Sequence, residues 1–314
     1  MKKIMFVNRS KKNCGIIDYG IRLHNIIKKS KKFLVYFSEV ENADEFVHSY
    51  NYIKPDLILY NYYPTVLPFI DDNLLSNIRH IPHVVIHHEL WTKFTPNGVL
   101  VVDSTSPDFE SNNIYSLPRP LFENVEFKDR KTYPYPVIGS FGFGFQDKNF
   151  PRIADLVCQQ FDKAIIRLNI PFATFGDESG HLAYKEVDKI TDVIAKTNKN
   201  IQLICTHDFL NHSEMLEFLH NNDVNIFLYD KHSDRSLSST IDYALSVKKP
   251  IAISDSWMFR HINNVEPSII VDNTPINDII SNGIEPLKPI YEKYSNESLI
   301  NKFEYAISKI LNIV

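Results

Sequence analysis

The chain predicts an α/β protein made of two parallel-sheet domains in tandem, and three observations carry that prediction. Its 314 residues are too many for one ordinary open sheet and suggest two domains. Short apolar runs alternate with segments whose apolar residues recur at helical spacing, the pattern of a parallel sheet with right-handed crossovers. The alternation stops between Leu117 and Val137, where Pro118, Pro120, Pro134 and Pro136 stand among charged residues, and then restarts. Proline is excluded from helix interiors and central strands, so this stretch is the expected boundary. The domains are expected over 1–125 and 126–290, with a C-terminal helical segment over 291–314 placed to pack back on the first domain.

The elements follow in order. Ile4 to Val7 reads as a strand, and Ile16, Tyr19, Leu23, Ile26 and Ile27 fall on one helical face. Phe33 to Phe37 is a strand, Ala43 to Ile53 a helix, Leu57 to Tyr60 a strand, and Thr65 to Ile78 a helix. His83 to His87 and Val99 to Val102 are further strands. After the boundary, Val137 to Phe141 is a strand and Asp147 to Phe161 a helix. Ala164 to Leu168 and Phe172 to Phe175 are short strands, and Tyr184 to Ala195 is a helix. Ile201 to Cys205 is a strand, Ser213 to His220 a helix, and Val224 to Leu228 a strand. Thr240 to Val247 is a helix and Pro250 to Ile253 a strand. From Pro289 onward, Ile290, Tyr294, Leu299, Phe303, Ile307 and Ile310 predict one or two terminal helices.

Composition narrows the function classes. Apolar residues make up 44%, enough for two cores, and the formal net charge is −4. No basic stripe of the kind a nucleic-acid surface needs is present, so nucleic acid is not an expected partner. The densest basic cluster is Lys28, Lys29, Lys31 and Lys32. It reads as a solvated helix end opposing the helix dipole, with contact to anionic lipid as the other reading. Cys14, Cys158 and Cys205 are odd in number and irregular in spacing, neither a disulfide framework nor a zinc motif. That fits a reducing cytoplasm. The apolar run after Lys2 and Lys3 is too short for a signal peptide, and no segment approaches the ~18 apolar residues of a membrane span.

Two stretches carry the chemistry. In the first, Gly139, Gly142 and Gly144 punctuate the end of a strand, and Lys148 follows before a helix. Glycine permits positive φ and close backbone approach, and Lys148 would meet a phosphate charge. The spacing is not the dinucleotide fingerprint, and a glycine turn needed only for packing is the alternative. In the second, the apolar run Val224 to Leu228 leads through a polar turn into a helix, and Asp234 and Asp242 bracket that turn. Ser236, Ser238, Ser239 and Thr240 suit a helix start, and Arg235 adds a cation. A strand, a polar turn and a helix start can hold a phosphate; a capped helix beside unrelated aspartates is the alternative.

Together the two stretches resemble the nucleotide-sugar glycosyltransferases of the GT-B fold, especially the retaining family-4-like enzymes. That family has a glycine-rich strand end followed by a lysine, and later E-x7-E. Here the second pattern is D-x7-D, Asp234 to Asp242, with a matching strand before it and a matching helix, proline and strand after it. The likeness is fairly specific over about residues 137–255 and looser over 1–120. It implies two Rossmann-like domains facing across a cleft. Asp242 would bind the donor ribose, and Asp234 would lie beside the transferred sugar. The backbone amides of Ser236, Leu237 and Ser238, with the helix dipole, would hold the diphosphate. Lys148 would neutralise the leaving group, and His207 and Asp208 would lie near the base. Gly142 and Gly144 would line the donor loop. The chain departs from the family in three places. Both acids are aspartate, Phe143 replaces the usual arginine, and Arg235 and Leu237 replace turn glycines.

In the first domain the resemblance implies that Gly15, after the first strand, lets the backbone approach donor or acceptor; an ordinary strand–helix turn is the other reading. His88, after the strand His83 to His87, matches the family histidine that faces the transferred sugar and donates a hydrogen bond to it. A structural cap and a metal site built from His80, His83, His87 and His88 are the competing readings. Strand alternation turns neighbours to opposite faces, which disfavours the metal. Asn61, Tyr62 and Tyr63 end another strand and are placed as acceptor contacts, with packing as the alternative. The resulting expectation is transfer of a sugar from a nucleotide diphosphate donor to a hydroxyl acceptor, a glycan or lipid-linked glycan, with retention. No cofactor and no metal are expected. The protein is expected in the cytoplasm, with the inner face of the membrane as a docking place. A nucleotide-sugar- or glycan-binding protein without turnover is the alternative from another class, and a nucleotide-sugar epimerase is a third.

Overall fold

The structure, a computed structural model, describes residues 1–10, 15–88, 96–101, 113–123, 126–128, 132–173, 176–231 and 236–313. It divides into two compact units, Met1–Leu121 with Tyr291–Val314, and Phe122–Ile290.

The first unit carries six strands: β1 (Lys2–Asn8), β2 (Phe33–Glu39), β3 (Leu57–Tyr62), β4 (His83–His87), β5 (Gly98–Val101) and β6 (Ile114–Ser116). They pair in the order β2-β1-β3-β4-β5-β6, and every ladder is parallel. Side chains alternate across this sheet as the period of two requires. Ile4, Phe6, Leu57, Leu59, Val84, Ile86 and Leu100 form one core layer, with Tyr19, Leu23 and Ile26 of helix α1 (Gly15–Ile27). Met5, Val7, Ile58, Tyr60 and Val85 form the opposite layer, under Phe46 and Ile53 of α2 (Ala43–Ile53). Because both faces are covered, the central strands read as continuous apolar runs, which is why they are visible in sequence.

The second unit carries β7 (Val137–Phe141), β8 (Lys163–Asn169), β9 (Asn200–Thr206), β10 (Val224–Phe227) and β11 (Ile251–Ile253) in the order β11-β10-β7-β8-β9, again all parallel. Helices α4 (Phe150–Gln160) and α5 (His181–Ala195) cover one face through Phe150, Ile153, Val157, Ala183 and Ile190. Helices α6 (His212–His220) and α7 (Thr240–Ser246) lie in the same unit. Met215, Leu216, Phe218 and Leu219 of α6 make a smaller cluster with Val247, Phe122 and Phe141.

The chain ends in α8 (Ile276–Asn282), α9 (Lys288–Lys293) and α10 (Asn296–Ile310). Leu299, Phe303, Ala306, Ile307 and Ile310 of α10 belong to the Ile4–Phe6 core layer of the first unit. Buried Glu304 fastens this helix to the α1–β2 turn. Its Oε1 accepts from Ser30 Oγ at 2.7 Å and from the Lys31 amide at 2.9 Å. No helix among the described residues is long and apolar enough to cross a membrane.

Several expected elements differ. The helix expected over Thr65 to Ile78 is only α3 (Asp72–Ser76). Pro68 interrupts the earlier part, and Asp71 starts the helix by accepting from the Leu74 amide at 2.8 Å. The helix expected from Asp147 begins as a separate 3-10 turn, Gln146–Lys148. Asn149 then takes a left-handed conformation (φ 56°) before α4. Phe172 and Ala173 are irregular rather than strand, and Phe175 lies outside the described residues. β6 and α8 were not expected; the three residues of β6 are too short to show a period.

Candidate functional site

The carboxyl ends of β7 and β10 bring the two sequence motifs of the second unit together. Gly142 takes φ +149°, open mainly to glycine. Gly144 has a different reason to lack a side chain. A Cβ there would stand 2.5 Å from the backbone N and Cα of Ala183, in the first turn of α5. Asp177 holds that turn by accepting from the amides of Leu182 and Ala183 at 2.8 and 3.1 Å. Packing therefore accounts for Gly144, and backbone conformation accounts for Gly142.

The Lys148 turn is stapled to the end of β10. The Asp230 amide donates to the Asp147 carbonyl at 3.0 Å, and Asn149 Nδ2 donates to Asp230 Oδ1 at 3.2 Å. This places Lys148 Nζ 3.8 Å from the ring centroid of Tyr229 and 3.9 Å from Asp147 Oδ2. The Tyr229 hydroxyl donates to Thr240 Oγ1 at 3.4 Å, and Ser238 Oγ lies 2.8 Å from the same atom. From the other side, Ser254 and Ser256 donate to the carbonyls of Tyr229 and Asp230 at 2.6 and 2.8 Å. Tyr229 is thus the hub that joins Gly142, Lys148 and the start of α7. In sequence it has no role of its own, because a tyrosine following a buried strand looks like ordinary core.

The remaining donor-side residues are placed as follows. Asp242, in the first turn of α7, is fully buried, and Ser236 and Leu237 are half-buried. Asp234 and Arg235, like Cys14 and Glu89, lie outside the described residues. The Ser238 amide, expected to bind diphosphate, instead donates to the Met258 carbonyl at 3.1 Å. In this arrangement the amide's one hydrogen is engaged within the protein. At the end of β9, His207 Nδ1 donates to the Ile170 carbonyl at 2.7 Å. Its ring lies 4.8 Å from Tyr184 and 5.3 Å from Phe172, and Asp208 is exposed.

The first unit is arranged differently. Gly15 opens α1 and is exposed. Asn61 and Tyr62, expected to meet an acceptor, are buried in the central strand β3, and Tyr62 packs in the Met5–Val7 core layer. Half-buried Tyr63 packs against the same layer. β3 lies between β1 and β4 and is covered on both faces, so packing accounts for the burial of Asn61 and Tyr62. His88 Nε2 lies 2.6 Å from Asn61 Oδ1. Burial first, then Arg119 and His87, hold the His88 pKa down to about 3, so the ring is neutral at ordinary pH. His83 sits at the other end of β4, its Nδ1 2.9 Å from the Tyr60 hydroxyl. Among the described residues no three His, Cys, Asp or Glu side chains converge to hold a metal ion.

No family model and no curated protein matches the sequence. Solved structures do share its fold over the whole chain. A glycosyltransferase from Rickettsia africae is 14% identical with a TM-score of 0.63, covering 100% of this chain and 99% of its own. HepE from Anabaena, solved in complex with UDP and glucose, is 13% identical with a TM-score of 0.57, covering 100% and 97%. Sucrose-phosphate synthase from Thermosynechococcus elongatus is 9% identical with a TM-score of 0.59, covering 100% and 95%. The fold is GT-B, with parallel sheets of six and five strands in two α/β domains, as the sequence led us to expect.

Proposed function

We propose that this chain is a glycosyltransferase that moves a sugar from a nucleotide diphosphate-sugar to a hydroxyl acceptor. The observation that carries this is the convergence of Gly142, Lys148 and the start of α7 on Tyr229. It lies at the carboxyl ends of parallel strands, where such sheets bind ligands. The neighbour HepE, of the same fold, was solved with UDP and glucose. In this reading Lys148, a cation over an aromatic face, neutralises the diphosphate as its bond to the sugar breaks, where transition-state charge grows. Asp234 lies beside the transferred sugar, and Asp242 holds the ribose once neighbouring groups open around its carboxylate. Retention, a glycan or lipid-linked glycan acceptor, a cytoplasmic location with docking at the inner membrane face, and action without a bound cofactor or metal are further parts of the proposal. Incubating the protein with a panel of sugar nucleotides, with and without sugar acceptors, tests it. Nucleoside diphosphate release that rises with acceptor supports transfer, and the anomer of the product reports retention. An isomerised donor without acceptor would instead identify an epimerase.

The replacement of the turn glycines by Arg235 and Leu237 favours a second reading, a nucleotide-sugar- or glycan-binding protein without turnover. Tight donor binding with neither hydrolysis nor transfer would select it.

A further inference from the structure

The carboxyl end of the first sheet holds a chain of polar side chains that the transfer reading leaves unexplained. Asn8 ends β1, Asn61 lies near the end of β3, and both are fully buried. Asn61 Nδ2 donates to Asn8 Oδ1 at 2.8 Å and to the Ile16 carbonyl at 2.7 Å, while Asn8 Nδ2 donates to the Ile17 carbonyl at 3.2 Å. A backbone carbonyl only accepts, so Ile16 and Ile17 dictate which end of each amide is nitrogen. Asn61 Oδ1 must then be the atom facing His88 Nε2 at 2.6 Å, and because that oxygen only accepts, Nε2 carries the hydrogen. Gly20 makes the arrangement sterically possible. A Cβ there would stand 2.5 Å from Asn61 Nδ2 and 2.7 Å from Asn8 Oδ1. The edge of the Tyr19 ring, 4.8 Å from the imidazole at 87°, holds the histidine from α1.

We propose that Asn61, oriented by Asn8, is a positioning residue that locks His88 in its Nε2–H tautomer and takes up the one N–H with which the neutral ring could donate to a sugar. This rests on His88 belonging to the transfer site. It removes the hydrogen bond to the sugar that the family resemblance implied, because the ring's single N–H is already engaged by Asn61. The groups around the ring oppose protonation. Among the described residues, Arg119, from the segment after β6, and His87, on β4 itself, disfavour a cation, and Tyr19 faces the ring from α1.

The test is long-range proton–nitrogen correlation on the full chain labelled with 15N-histidine, with His88 identified by the signal lost in His88→Gln. The expected result is a neutral Nε2–H ring that does not titrate between pH 5 and 8. In Asn61→Asp a carboxylate faces Nε2–H, and the His88 titration is expected to move up by more than one pH unit. In Asn61→Ala the single tautomer is expected to give way to a mixture. An Nδ1–H ring, or a wild-type midpoint near 6.5, would overturn the proposal, and that wild-type spectrum decides even where a variant fails to fold. UDP titrated into the same sample separates the two readings. Nδ1–H in a UDP-binding protein refutes the lock alone. Nε2–H in a protein that binds no nucleoside diphosphate supports the lock and refutes the donor site.

Discussion

The two sheets close their carboxyl edges in opposite ways. In the second unit the strand ends run into a glycine turn, a lysine and a series of hydroxyls gathered around Tyr229. In the first unit the equivalent edge is filled by two buried asparagines and a neutral histidine that satisfy one another and the α1 backbone. The same parallel topology therefore yields one edge built on a lysine, hydroxyls and backbone conformation, and one built on an uncharged hydrogen-bond network.

Glycine substitutions sharpen that contrast most strongly. Gly144→Ala would drive a Cβ into the backbone of α5, which cannot give way, and should cost about 3 kcal/mol in urea denaturation, the upper end of ordinary overpacking. Gly20→Ala meets only the ends of two asparagine side chains and should cost about half as much, roughly 1.5 kcal/mol. The reverse ranking would break the distinction between a backbone-built and a side-chain-built edge.

Asn61→Ala comes next. It leaves Asn8 Oδ1, the Ile16 carbonyl and His88 Nε2–H without their partner, at roughly 2 kcal/mol of stability. The contrasting change in the second unit, Lys148→Ala, removes a partly exposed cation from an aromatic face and should cost under about 1 kcal/mol. Its effect belongs to catalysis, with transfer slowed more than donor binding is weakened.

Acid should act chiefly on the first unit. His88 stays neutral in the folded protein down to about pH 3, whereas the unfolded chain takes up that proton below about 6.5. Because the unfolded state binds more protons in that window, stability should fall as pH drops from about 6.5 toward 3. Burial lowers the pKa of His24, His83 and His87 as well, adding to the same trend. His88→Gln should flatten the decline seen by denaturant titration at stepped pH. An unchanged slope would mean His88 is not its main source.

Most of the fold was legible because central parallel strands are apolar runs and their crossovers have helical spacing. The expected bounds of α2, β4 and β7 coincide with those observed. What failed was local punctuation. Pro68 and the cap at Asp71 shortened one helix, and the left-handed Asn149 split another. The glycine–lysine turn was visible because its residues are adjacent in sequence. The asparagine network was not, since Asn8, Asn61 and His88 are far apart along the chain. They meet only through the register of β1 with β3 and of β3 with β4, which carries Val7 opposite Tyr60 and Tyr62 opposite His87. The contacts of Tyr229 were hidden for the opposite reason, since a buried tyrosine after an apolar strand has the character of core.

The most direct test of a donor site in the second unit is calorimetric titration with nucleoside diphosphates, with UDP in the panel, on the wild type and on Lys148→Ala and Asp242→Asn. The account predicts that at least one diphosphate binds the wild type and that Asp242→Asn weakens it by about 1–2 kcal/mol, the scale of a charged hydrogen bond. A panel in which none binds, or binding that neither substitution alters, would contradict it.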